Sequence, residues 1–347
     1  MLNHDLLKNR KNLLAFSAGI DSSALFFMLI EKKIPFDIAL VNYRTRVNSN
    51  KEEAHAKALA KKYGIRCFTT TAPEFKSHFE KQARDFRYAF FESLVHTEGY
   101  ENLLTAHQLN DQLEWLLMRL TKGAGVSELL GLEPITRREH YTLLHPLLHY
   151  SKEELLTYLH ANSYPYFTDE SNTDEKYERN RFRKRFSDAL LAEYKEGVSR
   201  SFDYLRQDKE ALENAFETLC VTKKLHIIKL HDIYAKTKAA DLTLKKLGYL
   251  LSAHQRKEIE KEESVVIGGK WVVAIQKDLL YIAPYLTTIL PKSLKEVYRI
   301  ARIPPKIRPY CYKERIDIPR HSGLNPKSIP KNRHHSQGQR DPESNLG

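Results

Sequence analysis

The sequence predicts an α/β protein: a doubly wound, parallel five-stranded sheet followed by a smaller α+β C-terminal region. Apolar segments of strand length alternate with helical patterns up to about Leu148. A β-α-β-α repetition favours parallel strands with helices on both faces, because each crossover connection returns to the same edge of the sheet. Gly64 and Gly123 close two of the helical patterns, as is typical of helix C-termini.

The predicted strands are short apolar runs at residues 13–16, 36–42, 65–71, 102–106 and 141–144. The predicted helices between them span residues 22–32, 50–63, 77–96 and 110–121. Ligands of such sheets bind beyond the carboxyl ends of the strands, where the strand order reverses. If the first and fourth strands flank that point, the turn after Phe16 faces the segment after Ala106.

The pattern changes after residue 150. A capping box at Ser151 and Glu154 opens a short helix. We then predict helices over about 182–219 and 242–260, and strands at 264–267, 271–274 and about 279–283, the first two joined through Gly268 and Gly269. The predicted divisions are an N-terminal domain (1–195), linker helices with a small domain (196–285), a short C-terminal domain (286–317) and a basic disordered tail (318–347).

Composition limits the class of protein. The chain has 347 residues, a net charge of +12 and a pI near 9.3, which favour a polyanionic partner, nucleic acid before membrane. Cys67, Cys220 and Cys311 lie far apart, which argues against a disulfide framework, a zinc site or an iron–sulfur cluster. The polar N-terminus and the lack of a long apolar stretch predict a cytoplasmic protein without a membrane partner.

Residues 17–23, which we call the small-residue turn, read Ser-Ala-Gly-Ile-Asp-Ser-Ser between the first predicted strand and helix. Backbone N–H groups at a helix N-terminus have no internal partner and bind anions. A carboxylate there, Asp21, would repel a phosphate unless a cation lay between them, which suggests Mg²⁺. The turn lacks the spacing and lysine of a Walker A loop, and the alternative is an ordinary capped helix.

Residues 107–115, which we call the histidine–acid motif, read His-Gln-Leu-Asn-Asp-Gln-Leu-Glu-Trp. Asp111 and Glu114 are three apart, so both point to one side of the predicted helix. We expect His107, Asp111 and Glu114 to project at the open end of the sheet, where Asp111 shares a cation with Asp21. The alternative is that these carboxylates only complement the helix dipole.

These two stretches carry a resemblance to known families. The small-residue turn resembles the S-G-G-x-D-S loop of the N-type ATP pyrophosphatases, with Ala18 in place of the first glycine. The histidine–acid motif is similar to the H-x-x-D-D-Q-x-E-T motif of the tRNA(Ile)-lysidine synthetases, with Asn110 for the first Asp and Trp115 for the Thr. Further similar segments are 41–46 (with Tyr43 where His is usual), 83–88, 122–125, 167–172 and 177–183.

The resemblance implies an adenine nucleotide alpha hydrolase-like fold and an ATP-dependent ligase of tRNA modification. Free L-lysine would be joined to C2 of the wobble cytidine in the CAU anticodon of tRNA(Ile), through an adenylated cytidine, giving lysidine. ATP and Mg²⁺ are the implied cofactors, and a homodimer is left open.

The implied site residues fall into four groups. The implied ATP-binding residues are Ser17, Ala18, Gly19, Ile20, Asp21, Ser22 and Asn42, and the implied metal ligands are Asp21 and Asp111. The implied catalytic residues are His107, Asp111, Glu114, Arg84 and Arg87. The implied tRNA-binding residues are Arg179, Arg181, Arg183, Lys184 and Arg185, for which a solvated charged face is the alternative.

Three other functions stay open at this point. A tRNA 2-thiocytidine-type enzyme would share the loop and the fold, but it normally needs cysteines that act together. An ATP pyrophosphatase of small-molecule metabolism would not need the basic C-terminal region, where residues 291–347 hold 13 Lys and Arg against 5 Asp and Glu. A nucleotide-sensing domain would bind ATP without turnover.

Overall fold

The structure is a computed structural model that describes residues 4–44, 49–75, 79–168 and 178–316. The chain divides into two compact units, one reaching Arg206 and the other beginning at Gln207. Parts of the predicted segments 41–46, 77–96, 167–172 and 177–183, and all of the predicted tail 318–347, lie outside the described residues.

The first unit contains a six-stranded sheet in the order β3-β2-β1-β4-β6-β5. Its strands are β1 (Asn12–Ala15), β2 (Phe36–Asn42), β3 (Cys67–Thr71), β4 (Asn102–Leu104), β5 (Ile135–Arg137) and β6 (Thr142–Leu144). All pairs are parallel except β5 with β6. The doubly wound fold is confirmed, and the strand order reverses between β1 and β4 as expected.

The sixth strand is a correction to the predicted five. β5 has three residues, and its one large apolar side chain, Ile135, is exposed. An edge strand of this kind lacks the buried apolar run that marks the other strands, so the sequence pattern does not reveal it.

Nine helices begin in the described part of the first unit, and the last of them continues into the second. They are α1 (His4–Lys8), α2 (Ile20–Glu31), α3 (Ser49–Tyr63), α4 (Phe79–Glu98), α5 (Leu109–Leu120), α6 (Val126–Leu129), α7 (Lys152–Ala161), α8 (Glu178–Phe182) and α9 (Asp188–Asn214). A π-helical turn, Arg183–Ser187, separates α8 from α9.

The core of the first unit fixes the end of β1. Phe26 of α2 is fully buried, and its ring contacts those of Phe16 and Phe36 with centroids 5.5 and 5.2 Å apart. Leu155 and Leu159 of α7 belong to the same apolar cluster and are also fully buried. Packing of α2 within this cluster, against the end of β1 and against α7, therefore holds the small-residue turn in one position.

The second unit holds a five-stranded antiparallel sheet in the order β7-β8-β11-β10-β9. Its strands are β7 (Phe216–Thr222), β8 (Leu225–Leu230), β9 (Ser264–Ile267), β10 (Trp271–Gln276) and β11 (Leu279–Pro284). Its helices are α10 (Lys236–Lys246), α11 (Ala253–Lys261), α12 (Lys292–Ile300) and α13 (Arg308–Lys313).

Two helix predictions in this region are wrong. The helix predicted to residue 219 ends at Asn214, and β7 follows, because alternating β-formers replace the charged helical pattern from Phe216 onward. The predicted helix 242–260 is two helices, since Gly248 has φ +79° and ends α10, while Ser252 caps α11. The predicted hairpin through residues 268 and 269 is confirmed: both glycines have positive φ, as a tight antiparallel turn requires.

Candidate active site

The small-residue turn connects β1 to α2. Oγ of Ser22 closes it, accepting from the N–H of Ser17 at 3.2 Å and donating to the carbonyl of Gly19 at 3.2 Å. Ala18 has φ +60°, in the left-handed region, and its carbonyl accepts from the N–H of Phe167 at 2.8 Å. The turn is thus held both by its own hydrogen bonds and by a neighbouring segment.

α2 begins at Ile20 without a side-chain cap, because its N-cap residue is Gly19. The N–H groups of its first turn therefore keep the capacity to bind an anion. Asp21 lies in this turn, and its Oδ1 is buried without a hydrogen-bond partner in the described part of the chain. Burial, with the nearby Asp111 adding to it, raises the pKa of Asp21 to about 7.

This environment fits a divalent cation. A cation between Asp21 and Asp111 would offset both the burial of the first carboxylate and its repulsion by the second. The described residues hold no cluster of three or more His, Cys, Asp or Glu side chains that could form a complete metal cage. Mg²⁺ does not need one, since it commonly takes one or two carboxylates together with water and substrate phosphates.

The N-terminus of α5 fixes Asp111. Gln108 caps the helix, its Oε1 accepting from the N–H of Asn110 at 2.6 Å, while Oδ2 of Asp111 accepts from the N–H of Gln108 at 3.0 Å. Because this reciprocal box uses Oδ2, Oδ1 of Asp111 is left for other partners. One oxygen of Asp111 therefore caps its own helix, as a first-turn carboxylate commonly does, and this part of the alternative interpretation is correct.

Two arginines meet the carboxylates of α5. Arg179 donates to Oδ1 of Asp111 at 2.7 Å and to Oε2 of Glu114 at 2.8 Å. Arg183 donates to both oxygens of Glu114, at 2.5 and 3.1 Å. The sequence analysis predicts that both arginines contact tRNA. In the structure, both donate hydrogen bonds to the acidic residues of the histidine–acid motif.

Burial and charge oppose each other in this four-residue cluster. The side chain of Glu114 is completely buried, and burial followed by the repulsion of Asp111 raises its pKa against the pull of the two arginines. Burial also acts to raise the pKa of Asp111, but Arg179, His107 and Arg183 hold it below its ordinary value. Because Arg179 already donates to Oδ1 of Asp111, a cation bound at this oxygen would have to replace that bond or share the oxygen with it.

The other predicted tRNA-binding residues lie on the same helical run. Arg181, Lys184 and Arg185 are exposed, as Arg179 is, whereas Arg183 is half-buried. Their assignment to RNA remains a prediction.

His107 lies after β4, with its Nδ1 2.9 Å from Oγ1 of Thr105. Burial lowers the pKa of His107 well below its ordinary value, and His145 adds to that effect. The ring is therefore neutral near pH 7 and can accept a proton.

Sequence reasoning missed His145. It is buried, its Nδ1 donates to the carbonyl of Glu133 at 2.7 Å, and its ring centroid lies 5.0 Å from that of His107. A signal was present: the residue follows β6, and β6 pairs in parallel with β4, so the two histidines leave the sheet at one edge.

Arg84 and Arg87 lie on α4 and differ in their surroundings. The guanidinium of Arg84 stacks on Tyr88, 5.1 Å from the ring centroid. Arg87 hydrogen-bonds the hydroxyl of Tyr43, which also donates to the carbonyl of Ala83 at 3.1 Å, and its charge acts on His107. The structure thus brings Arg87 toward the histidine–acid motif, and Tyr43 occupies the place of the usual histidine as an anchor for α4.

Asn42 ends β2, next to β1 in the sheet. It is buried, and its amide donates to Oδ1 of Asn50 at 3.1 Å and to Oε2 of Glu53 at 2.8 Å. Both donors are therefore engaged with α3, so a contact of Asn42 with ATP would require these bonds to exchange.

Comparison with known families identifies the class of protein. Residues 1–190 match the family described as a PP-loop domain, more than half of the chain. The class is therefore that of the PP-loop ATP-using proteins.

Relatives of known name identify the family within this class. The chain is 47% identical to the tRNA(Ile)-lysidine synthase of Campylobacter jejuni, an alignment that covers 90% of this chain and 96% of that protein. It is 46% identical to the synthase of Wolinella succinogenes (90% and 95% covered) and 39% identical to that of Helicobacter pylori (92% and 94% covered). The chain belongs to the tRNA(Ile)-lysidine synthase family, which confirms the resemblance. Within the described ranges, no helix has the length and apolar character of a membrane span.

Proposed function

We propose that the protein joins free L-lysine to C2 of the wobble cytidine in the CAU anticodon of tRNA(Ile), with conversion of ATP to AMP and pyrophosphate. One observation carries this: in a chain of this family, the buried, unpartnered carboxylate of Asp21 lies beside Asp111 at the point where the strand order reverses. The substrates are cytoplasmic molecules, and we place the reaction there.

The first step activates the base. The pyrophosphate of ATP would bind the small-residue turn at the N-terminus of α2, and Mg²⁺, held by Asp21 and Asp111, would neutralise phosphate charge. The C2 carbonyl oxygen of cytidine attacks the α-phosphorus, a new O–P bond forms, and pyrophosphate leaves. Arg87, close to His107, is our candidate for stabilising the added negative charge.

The second step replaces AMP by lysine. The ε-amine attacks C2, a C–N bond forms, and the C2–O bond to AMP breaks. The amine must lose a proton, and the neutral ring of His107, whose Nδ1 lies against Thr105, is our candidate acceptor through its other nitrogen. Glu114 is less suited to this role in the described state, because both of its oxygens accept from Arg179 and Arg183.

The cysteines do not favour the 2-thiocytidine alternative. Cys67 on β3 is the one cysteine of the first unit, and burial raises the pKa of its thiol to about 11, which disfavours the thiolate. Cys220 and Cys311 belong to the second unit. Sulfur transfer normally needs a reactive thiolate or cysteines that act together.

Incorporation of labelled lysine into a tRNA(Ile) transcript with a CAU anticodon tests the proposal. We expect incorporation that depends on ATP and Mg²⁺, with none into a methionine tRNA transcript that has the same anticodon. RNA-stimulated pyrophosphate release without lysine incorporation would replace lysidine formation by another tRNA base modification. Light scattering of the same preparation would determine whether the enzyme is a homodimer.

A further inference from the structure

Asn110 stands where the family motif has its first aspartate, and the structure gives it two partners. Its side-chain amide donates to Oδ1 of Asp188 at 2.8 Å, and its Oδ1 accepts from the backbone N–H of Lys152 at 3.1 Å. Asn110 is buried, whereas Asp188 is exposed. One side chain on α5 therefore ties the first residue of α7 to the first residue of α9.

An aspartate at position 110 would not make both bonds. It could accept from the N–H of Lys152, but it would present a second carboxylate to Asp188. Because Asp188 is exposed, it would turn to water rather than face a like charge, and the tie between α5 and α9 would open. The two bonds of Asn110 therefore need the amide that an aspartate lacks.

Asp188 is linked to Arg183 through the backbone of the π-helical turn. Its N–H donates to the carbonyl of Arg183 across the π-helical turn, an i→i+5 bond. In a regular α-helix the fifth residue along is rotated by about 140° from the first, so the two side chains would leave on different sides. The π turn instead brings Asp188 over Arg183, and both side chains reach α5.

We propose that Asn110 and Asp188 form a positioning pair that holds Arg179 and Arg183 against Asp111 and Glu114. The pair touches no reacting atom; it acts through the arginines. This inference rests on the proposed function, since it assigns the pair to the ATP-dependent step of that site. Loss of the tie would free the arginine segment 179–185 to move relative to α5 and would misplace the catalytic carboxylates.

Exchange of the two side chains tests the pair. N110D should lower kcat for tRNA-stimulated pyrophosphate release about tenfold or more. D188N keeps an acceptor oxygen for Asn110 and should stay close to wild type. N110D/D188N places the donor on the other partner, and we expect it to recover most of the lost kcat. N162D, which adds a carboxylate at the end of α7, is the matched control and should behave as wild type.

The outcomes separate the pair from the proposed function. N110D with wild-type kcat, or a double variant no better than N110D, would overturn the positioning role. Thermal unfolding of each variant distinguishes a merely structural role, in which Tm falls while kcat per folded molecule stays constant, and that result would also overturn it. If wild type forms no lysidine, the proposed function fails, and the affinity of each variant for a non-hydrolysable ATP analogue, by calorimetry, still decides the pair: N110D alone should bind it more weakly.

Discussion

Replacing Asp21 by Asn should change how stability depends on pH. The pKa of this carboxyl is 3.8 in an ordinary setting and about 7 in the folded chain, because of burial and then of Asp111. Such a difference corresponds to at most about 4 kcal/mol between the two protonation states. Between these two pKa values the folded chain holds a proton that the unfolded chain has lost. The free energy of unfolding therefore falls as pH rises from about 4 to about 7.

Urea unfolding in EDTA at pH 5 and pH 8 measures this effect. D21N has no group to titrate, so it should lose this part of the pH dependence and be more stable than wild type at pH 8. It should also be inactive in pyrophosphate release. D208N, at an exposed position of α9, is the control and should follow the wild-type profile. Parallel profiles for wild type and D21N would refute the reasoning.

Magnesium supplies a second readout of the same carboxylate. Millimolar Mg²⁺ at pH 8 should stabilise wild type more than D21N, because a cation offsets the charge of the buried carboxylate only where that carboxylate exists.

Two further predictions concern the neighbouring groups. E114Q should lose about 3 kcal/mol of unfolding free energy, because Gln cannot accept from Arg179 and Arg183 as a carboxylate does. It should retain ATP binding but lower turnover. The control E154Q, which breaks a surface pair with Lys195, should lose less than about 1 kcal/mol. Equal losses on urea unfolding would contradict the first, and wild-type turnover would remove Glu114 from the mechanism. H145Q should raise the pKa of His107, so the acid limb of the pH–rate profile for lysine transfer should move to higher pH; an unmoved limb would exclude that coupling.

The sequence predicts the sheet well because the parallel strands β1, β2, β4 and β6 are largely buried and read as apolar runs. It also predicts the strand-order reversal between β1 and β4, and so the meeting of the small-residue turn with the histidine–acid motif. It does not predict β5 or the β7–β8 hairpin: β5 and β7 expose several of their side chains, and β8 follows a segment whose charged pattern reads as helix.

Site contacts were harder to predict than site positions. The spacing of Asp111 and Glu114 places both on one side of α5, and the structure agrees. No spacing rule connects them to Arg179 and Arg183, which are more than 60 residues away along the chain. A run of basic residues in a basic protein suggests RNA, and nothing in that run indicates that Arg179 and Arg183 also pair with the carboxylates of α5.

Ala18 shows how a departure from the family motif can be tolerated. Its φ of +60° confirms that the position requires the left-handed region, which costs a non-glycine residue about 1–2 kcal/mol. Glycine would remove that strain, but it would lose a fully buried methyl group worth about 0.8 kcal/mol and would add about 0.4–1 kcal/mol of unfolded-chain entropy. These contributions nearly cancel, so A18G should change the free energy of unfolding by less than about 1 kcal/mol. Valine has the same backbone requirement with a branched side chain in a filled space, so A18V should be far less stable and serves as the comparison. A large gain in the free energy of unfolding for A18G would contradict this reasoning, because it would mean that backbone strain dominates at this position and that the alanine destabilises the turn.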